Sequence, residues 1–348
     1  RPSEMRKIYV TGLGVISGIG KGVEENLDSL KEKYTESGDK TRATSGAAYA
    51  MLGKAYMSVP QETGMRDFKL AKESFEAMMN RYQLDPDFAN LFDEKLEFNS
   101  PESIFELDYD NVNRINHWQF DMGSRTVVAT FGEGCYFAGY DVALPTEYAY
   151  KSKSEGGIWE EGDLRRDESI RYDFTYLGIT PTEVSWGADE LDPHIKKYED
   201  ERTDQFNGNL ANEWYSGKNF IVLRYADVLL CYAECLNELG ETGQANTIVN
   251  QVRARAWGGT LPNEMAWNYG QDEFRTQIMN ERIRELCFEG WRRMDLIRTG
   301  KFVELIKERN SWAKKSRTIK DFHMRYPIPD TEIKNNDDIS EEDQNPGY

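Results

Sequence analysis

The hydrophobic positions of this chain follow two different rhythms. Over residues 41–59, "TRATSGAAYAMLGKAYMSV", Ala48, Met51 or Leu52, and Ala55 share one helical face, and over 67–82, "DFKLAKESFEAMMNRY", Ala71, Phe75, Met78 or Met79, and Tyr82 do the same. Spacings of three and four are the period of an α-helix, so these segments predict a helix pair. A second pair is expected downstream. "LRYADVLLCYAECLNELG", 223–240, carries the stripe Tyr225, Leu229, Tyr232, Leu236 and Leu239, with Gly240 placed to end the helix. "ETGQANTIVNQVRARA", 241–256, answers with Ala245, Ile248, Val249 and Val252. A further helix is expected over 272–290, where Glu281, Arg282, Arg284, Glu285 and Glu289 recur at helical spacing and predict a solvated ionic face. Between the pairs, residues 90–218 lose the helical period and become rich in Gly, Asp, Asn and aromatics, which predicts short strands and long loops.

The first pair also carries a repeat signature. Tyr49, Leu52-Gly53, Tyr56, Ala71, Phe75 and Pro86 fit the tetratricopeptide order of large, Leu-Gly, Tyr, Ala-x-x-x-Phe and Pro, although the connecting loop is longer than in that repeat. The fold class expected is therefore mostly α, with tetratricopeptide-like helix pairs framing a loop-rich region of short strands. Long loops held by a helical frame are where binding sites usually lie.

Composition narrows the chemistry. The chain has 348 residues with 43 Lys and Arg against 61 Asp and Glu, a formal charge of -18. Such a surface repels phosphates and argues against a nucleic-acid partner, while a neutral ligand meets no such barrier. Eight Trp and nineteen Tyr supply flat apolar faces for stacking as well as for packing. Cys135, Cys231, Cys235 and Cys287 form no Cys-x-x-Cys pair, and with only His117, His194 and His323 beside them no metal-ligand spacing exists. No metal and no cofactor are expected. Near the start, "VTGLGVISGIGKGVEENL", 10–27, is glycine-rich, but Ser17 stands where a dinucleotide turn needs its third Gly, and Gly20-Lys21 lacks the rest of a phosphate loop. A buried strand bending into a helix explains the stretch.

Several motifs in order carry a family resemblance: "RATSGAAYAMLGKAYM" (42–57), "GDLRRDESI" (162–170), "LRYADVLLCYAECLNELG" (223–240), "NQVRARA" (250–256), "ERIRELCFEGWRRMDLIRTG" (281–300), "RYPIPDTEI" (325–333) and "QNPGY" (344–348). Together they make residues 34–348 resemble the SusD/RagB family of surface lipoproteins that capture nutrients in Bacteroidetes. The head differs: "MRKIYVTGLGVISGIGKGVEENLDSLK", 5–31, resembles the opening strand and helix of beta-ketoacyl-acyl carrier protein synthases, without the Cys and His motifs that acyl transfer needs. Residues 1–33 are thus expected to be a foreign segment, a fusion or an artefact, and 34–348 a SusD-like domain lacking the family's N-terminal part and its lipobox.

The resemblance implies a non-enzymatic protein that holds an oligosaccharide or polysaccharide at the outer-membrane surface and partners a TonB-dependent transporter. A pyranose offers an apolar face to an aromatic ring and a hydroxyl fringe to polar side chains. The candidate ligand-binding residues are Trp159, Trp186, Trp214 and Tyr215, with Asp189, Asn209 and Asn212 as polar partners, and no catalytic residue is assigned. Two other classes stay open: a peptide binder or protein-only scaffold of an uptake complex, and, more remotely, a glycoside hydrolase needing two carboxylates at a set separation or an acyl-transfer enzyme.

Overall fold

The computed structural model describes residues 39–96, 100–110, 112–125, 127–128, 134–172, 193–204 and 215–348. Thr44 opens helix α1 (Ser45–Ser58), its hydroxyl accepting from Ala47 N at 3.2 Å. Asp67 opens α2 (Phe68–Met79) by accepting from Lys69 N and Leu70 N, each at 2.9 Å. The two helices approach closely because of two glycines. A Cβ on Gly53 would stand 2.5 Å from the Phe75 ring, and one on Gly46 would stand 2.2 Å from the Tyr82 hydroxyl. This selects the buried face of α1: Ala47, Ala50, Gly53, Lys54 and Met57. That face lies one residue round from the expected Ala48, Met51 or Leu52, and Ala55, all only half-buried. Small size, rather than hydrophobicity, chose the contact. Helix α2 buries Ala71, Phe75 and Met78, with Tyr82 just beyond its end, as its periodicity predicts.

The central element is α3 (Tyr225–Glu238), buried continuously from Ala226 to Asn237 instead of along one stripe. It packs against α2, α4 (Thr242–Ala256) and α5 (Gln271–Leu286). Leu239, expected on its apolar stripe, is 40% exposed, because the helix ends at Glu238 and the left-handed Gly240 (φ +85) turns the chain just beyond it. Two shorter helices, α6 (Arg292–Arg298) and α7 (Phe302–Arg309), close this end, and one continuous apolar core runs from Ala47 to Phe302. The middle of the chain holds the expected short strands. β1 (Ser103–Leu107) stands apart from the small antiparallel pair β2 (Ile170–Arg171) and β3 (His194–Ile195). β4 (Phe220–Arg224) pairs antiparallel with β1, Leu107 opposite Phe220 and Ser103 opposite Arg224. Leu223 and Arg224, which the apolar pattern runs into the helix, are thus the end of a strand.

The ionic residues of the third helix are not solvated. Glu281, Arg284 and Glu285 are 0% exposed, Arg282 2% and Glu289 7%. Each has its partner inside. Arg165 reaches both Glu281 and Glu285 at 2.8 Å and Asp163 at 2.7 Å. Arg224 binds Glu102 (2.8 Å), Glu289 (2.7 Å) and Glu285, while Arg255 binds Glu102 (3.0 Å) and the same Glu285. Arg253 and Arg284 converge on Glu281, Arg253 also reaches Glu160, and Lys197 meets Glu289 at 2.7 Å. Six buried cations (Arg165, Lys197, Arg224, Arg253, Arg255, Arg284) therefore face six carboxylates (Glu102, Glu160, Asp163, Glu281, Glu285, Glu289). A neighbouring group pairs Lys54, Arg282 and Arg298 with Asp227, Glu234 and Asp295. Burial alone would raise the Glu285 carboxyl; Arg255, Arg224 and Arg165 around it hold it well below the ordinary range instead. Charges at spacings of three and four look the same in sequence whether water or guanidinium groups surround them.

Candidate functional site

This network anchors two segments that carry aromatic rings. Lys197 is tied to Glu289, and Arg224 at the end of β4 is tied to Glu285 and Glu289, so Tyr198 and Phe220 are held by neighbours that cannot shift independently. The Tyr198 hydroxyl adds a bond to the Phe288 carbonyl. A third ring joins them through a latch: Asn116 and Ser216 exchange two backbone hydrogen bonds of 2.9 Å, and the Asn116 amide donates to the Lys218 carbonyl at 2.9 Å. The Asn116 side chain also accepts from Trp118 N at 3.0 Å, opening the helical turn Trp118–Met122.

Trp118, Tyr198 and Phe220 then form one aromatic group. The Trp118 ring centroid lies 5.7 Å from each of the others with planes 26° apart, and Tyr198 and Phe220 lie 6.1 Å apart with planes within 4°. Trp118 is 38% exposed, and the cavity bounded by Tyr198, Phe220, Lys218 and Asn219 is only about 20 Å³. No sugar ring fits inside that space, and Trp118 is the member of the group most open to solvent. Next to it, the exposed His117 ring stands edge-on to Tyr215, centroids 4.5 Å apart.

The segments flanking the rings carry polar groups. Asn219 donates to Glu106 at 3.1 Å and accepts from Tyr109 N at 2.9 Å. The exposed turn leading to Asn116 is tightened by Asp110, whose carboxyl is pulled far down by N–H donors of Asn113, the Arg114 guanidinium and Val112. Burial raises the Glu106 carboxyl, against hydrogen bonds from Ser103 and Asn219. Burial also raises that of Glu94, whose Oε1 has no hydrogen-bond partner among the described residues. The four cysteines are buried and unpaired, and burial pushes the Cys135 thiol up to about 12 and the Cys231 thiol up to about 11, which withholds the thiolate a nucleophile needs. No group of three or more His, Cys, Asp or Glu among the described residues is arranged to hold a metal ion.

Of the residues expected to contact a ligand, the structure moves one to the interior. Trp159 is 1% exposed, its indole N–H donates to Ala149 O at 2.6 Å, and it packs in a cluster with Ile158, Ile170, Ile283 and Cys287. Both ring faces are covered by protein, so Trp159 is a core residue. Tyr215 stands beside His117, half-buried. Trp186, Trp214, Asp189, Asn209 and Asn212 lie outside the described residues, as does the glycine-rich stretch 10–27. Trp118, Tyr198 and Phe220 were not among the expected residues. The legible signal was "NHWQF", 116–120, a tryptophan bracketed by polar residues in the aperiodic region; its convergence with positions 198 and 220 depends on tertiary contacts that no local pattern encodes.

Comparison with known proteins gives the family and the fold. The SusD family model matches residues 101–348. The chain is 28% identical to SusD-like protein P2 of Formosa agariphila, over 94% of this chain and 64% of that protein. It is 24% identical to the starch-binding protein SusD of Bacteroides thetaiotaomicron, over 88% of this chain and 61% of that protein. The chain thus spans less than two thirds of the length of each. Among solved structures, surface glycan-binding protein A from Bacteroides fluxus superposes with a TM-score of 0.65 at 24% identity, covering 94% of this chain and 69% of that one. That likeness supports the mostly helical fold.

Proposed function

This chain belongs to the SusD family, and on that premise we propose that it binds a glycan at the cell surface without transforming it, for uptake through a TonB-dependent transporter of the outer membrane. The observation that carries the binding role is Trp118, an exposed indole mounted on Tyr198 and Phe220 beside the His117–Tyr215 pair. An indole held in place before the ligand arrives loses little freedom on stacking against the CH face of a pyranose. The names of two relatives, a starch-binding protein and a surface glycan-binding protein, point the same way. We assign this role to residues 34–348. Trp214, Asn209 and Asn212 immediately precede Tyr215 in sequence and are proposed to extend the site, with Trp186 and Asp189 as more distant contributors. The segment 5–31 is proposed to take no part in catalysis, since no described cysteine has a nucleophile's surroundings.

The test is calorimetric titration of the purified chain with neutral, acidic and host-type glycans, with peptides as controls. Saturable binding of one glycan class, weakened about ten-fold or more by Trp118→Ala at unchanged thermal stability, supports the proposal. Glycan binding indifferent to Trp118→Ala, or binding only to peptides or to the transporter, overturns it. Growth of reducing ends on incubation with the bound glycan would replace capture with hydrolysis.

A further inference from the structure

Away from the aromatic group, a cleft of about 250 Å³ opens between the segment 144–149 and helices α5, α6 and α7. Its walls are apolar, built from Leu144, Tyr148, Ile283, Leu286, Leu305 and Ile306, yet Arg282, Arg292 and Arg309 also line it. Their circumstances differ. Arg282 is satisfied, with Asp227 and Asp295 each at 2.8 Å. Asp295, the acid on the cleft wall, is occupied by Arg282 and by Arg298 at 2.8 Å.

Arg292 has no such partner, and Arg309 has only a long contact with an exposed acid. Arg292 donates to the Met279 carbonyl at 2.9 Å and has no carboxylate within ion-pair distance among the described residues. Arg309 lies over the Tyr148 ring at 4.1 Å and donates to Asn280 at 3.3 Å. Its Nε is buried without a hydrogen-bond partner, since the exposed Glu308 comes only to 3.7 Å. A chain with 61 acidic and 43 basic residues, which gives Arg165, Arg224, Arg282 and Arg298 close carboxylate partners, leaves in one cleft Arg292 with none among the described residues and Arg309 with only the exposed Glu308. Burial, set against the attraction of Asp295, and repulsion from Arg309 push the Arg292 guanidinium down to about 10. An anion seated between them would remove that penalty.

We propose that this cleft is a second binding site, which takes a carboxylate carried on a small body with an apolar face, about the size of one sugar ring. It rests on the cleft's own geometry and is independent of the aromatic group. The carboxylate has two chemical sources, an acidic sugar residue or the end of a peptide. The probes are galacturonate, its uncharged match galactose, and N-acetyl-leucine, titrated by ligand-observed NMR and calorimetry into the full chain. Binding of either carboxylate but not of galactose, weakened about ten-fold by Arg292→Gln or Arg309→Gln and declining with salt, is the expected result, and the tighter probe identifies the source. Neither variant strands a buried acid, so both are expected to melt with the parent chain and to keep any glycan binding that depends on Trp118. Equal binding of galactose and galacturonate, no binding of either carboxylate to the folded chain, or lower melting of both variants without change in carboxylate binding would overturn the proposal.

Discussion

Glu285 is the most connected carboxylate of the interior, and Glu285→Gln is the sharpest perturbation of the frame. Its oxygens accept from Arg165 at 2.8 Å and from Arg224 and Arg255, and its side chain is 0% exposed. The substitution keeps the shape, removes one negative charge from a balanced set of six and six, and turns an amide donor towards three guanidinium donors. Breaking a buried pair by removing one partner costs about 3–5 kcal/mol, because the stranded charge stays buried. At about 2 °C per kcal/mol, the low end of the scale for domains of 150–250 residues and the fitting one for a chain of 348, Tm falls by about 6–10 °C. Thermal unfolding followed by circular dichroism reads this directly, with Glu147→Gln as control: that carboxylate pairs Lys151 at the surface, 65% exposed, and its loss is expected to move Tm by no more than about 1 °C. The pH dependence carries a sign. The folded Glu285 carboxyl lies below its ordinary value of 4.5, so its stabilisation is complete above that pH and is lost as pH falls below it. The gap between parent and variant therefore narrows on acidification below about pH 4.5. A Glu285→Gln chain that melts within about 2 °C of the parent at pH 7 would refute the claim that this network holds the frame together.

Three further outcomes follow from single contacts. Gly53→Ala forces a methyl into the Phe75 ring and is expected to destabilise by about 1–3 kcal/mol, measured by urea unfolding. Glu94→Gln should raise Tm at pH 7: burial lifts this carboxyl, so the ionised form penalises folding above its ordinary 4.5, and the gain should vanish below that pH. Trp118→Ala should leave Tm within about 2 °C of the parent while glycan affinity drops about ten-fold, as expected for an exposed side chain that serves a ligand instead of the core.

Periodicity was a sound guide where apolar residues alone decide the outcome. The helices around Phe75, Leu229 and Val249 are where their spacing puts them. It misplaced the buried face of α1 because Gly46 and Gly53 carry no hydrophobic signal, yet they set which side can approach α2. It misjudged Glu281, Arg282, Arg284, Glu285 and Glu289 because their partners include positions 160, 165, 197, 224, 227, 253 and 255, distant in sequence. The candidate site was legible only as a region. Tyr215 and the aperiodic aromatic segment pointed towards it, but an exposed tryptophan and a buried one have the same local signature. Trp159 and Trp118 are told apart only by what covers them.

A glycan that stacks on Trp118 must change the surroundings of its indole. Indole N–H resonances of the 15N-labelled chain, with Trp118 and Trp159 assigned by Trp→Phe variants, test it during titration with the tightest glycan of the panel. A saturable shift of the Trp118 indole, with the Trp159 signal still, is the expected result. Saturable glycan binding that leaves Trp118 unmoved would contradict it.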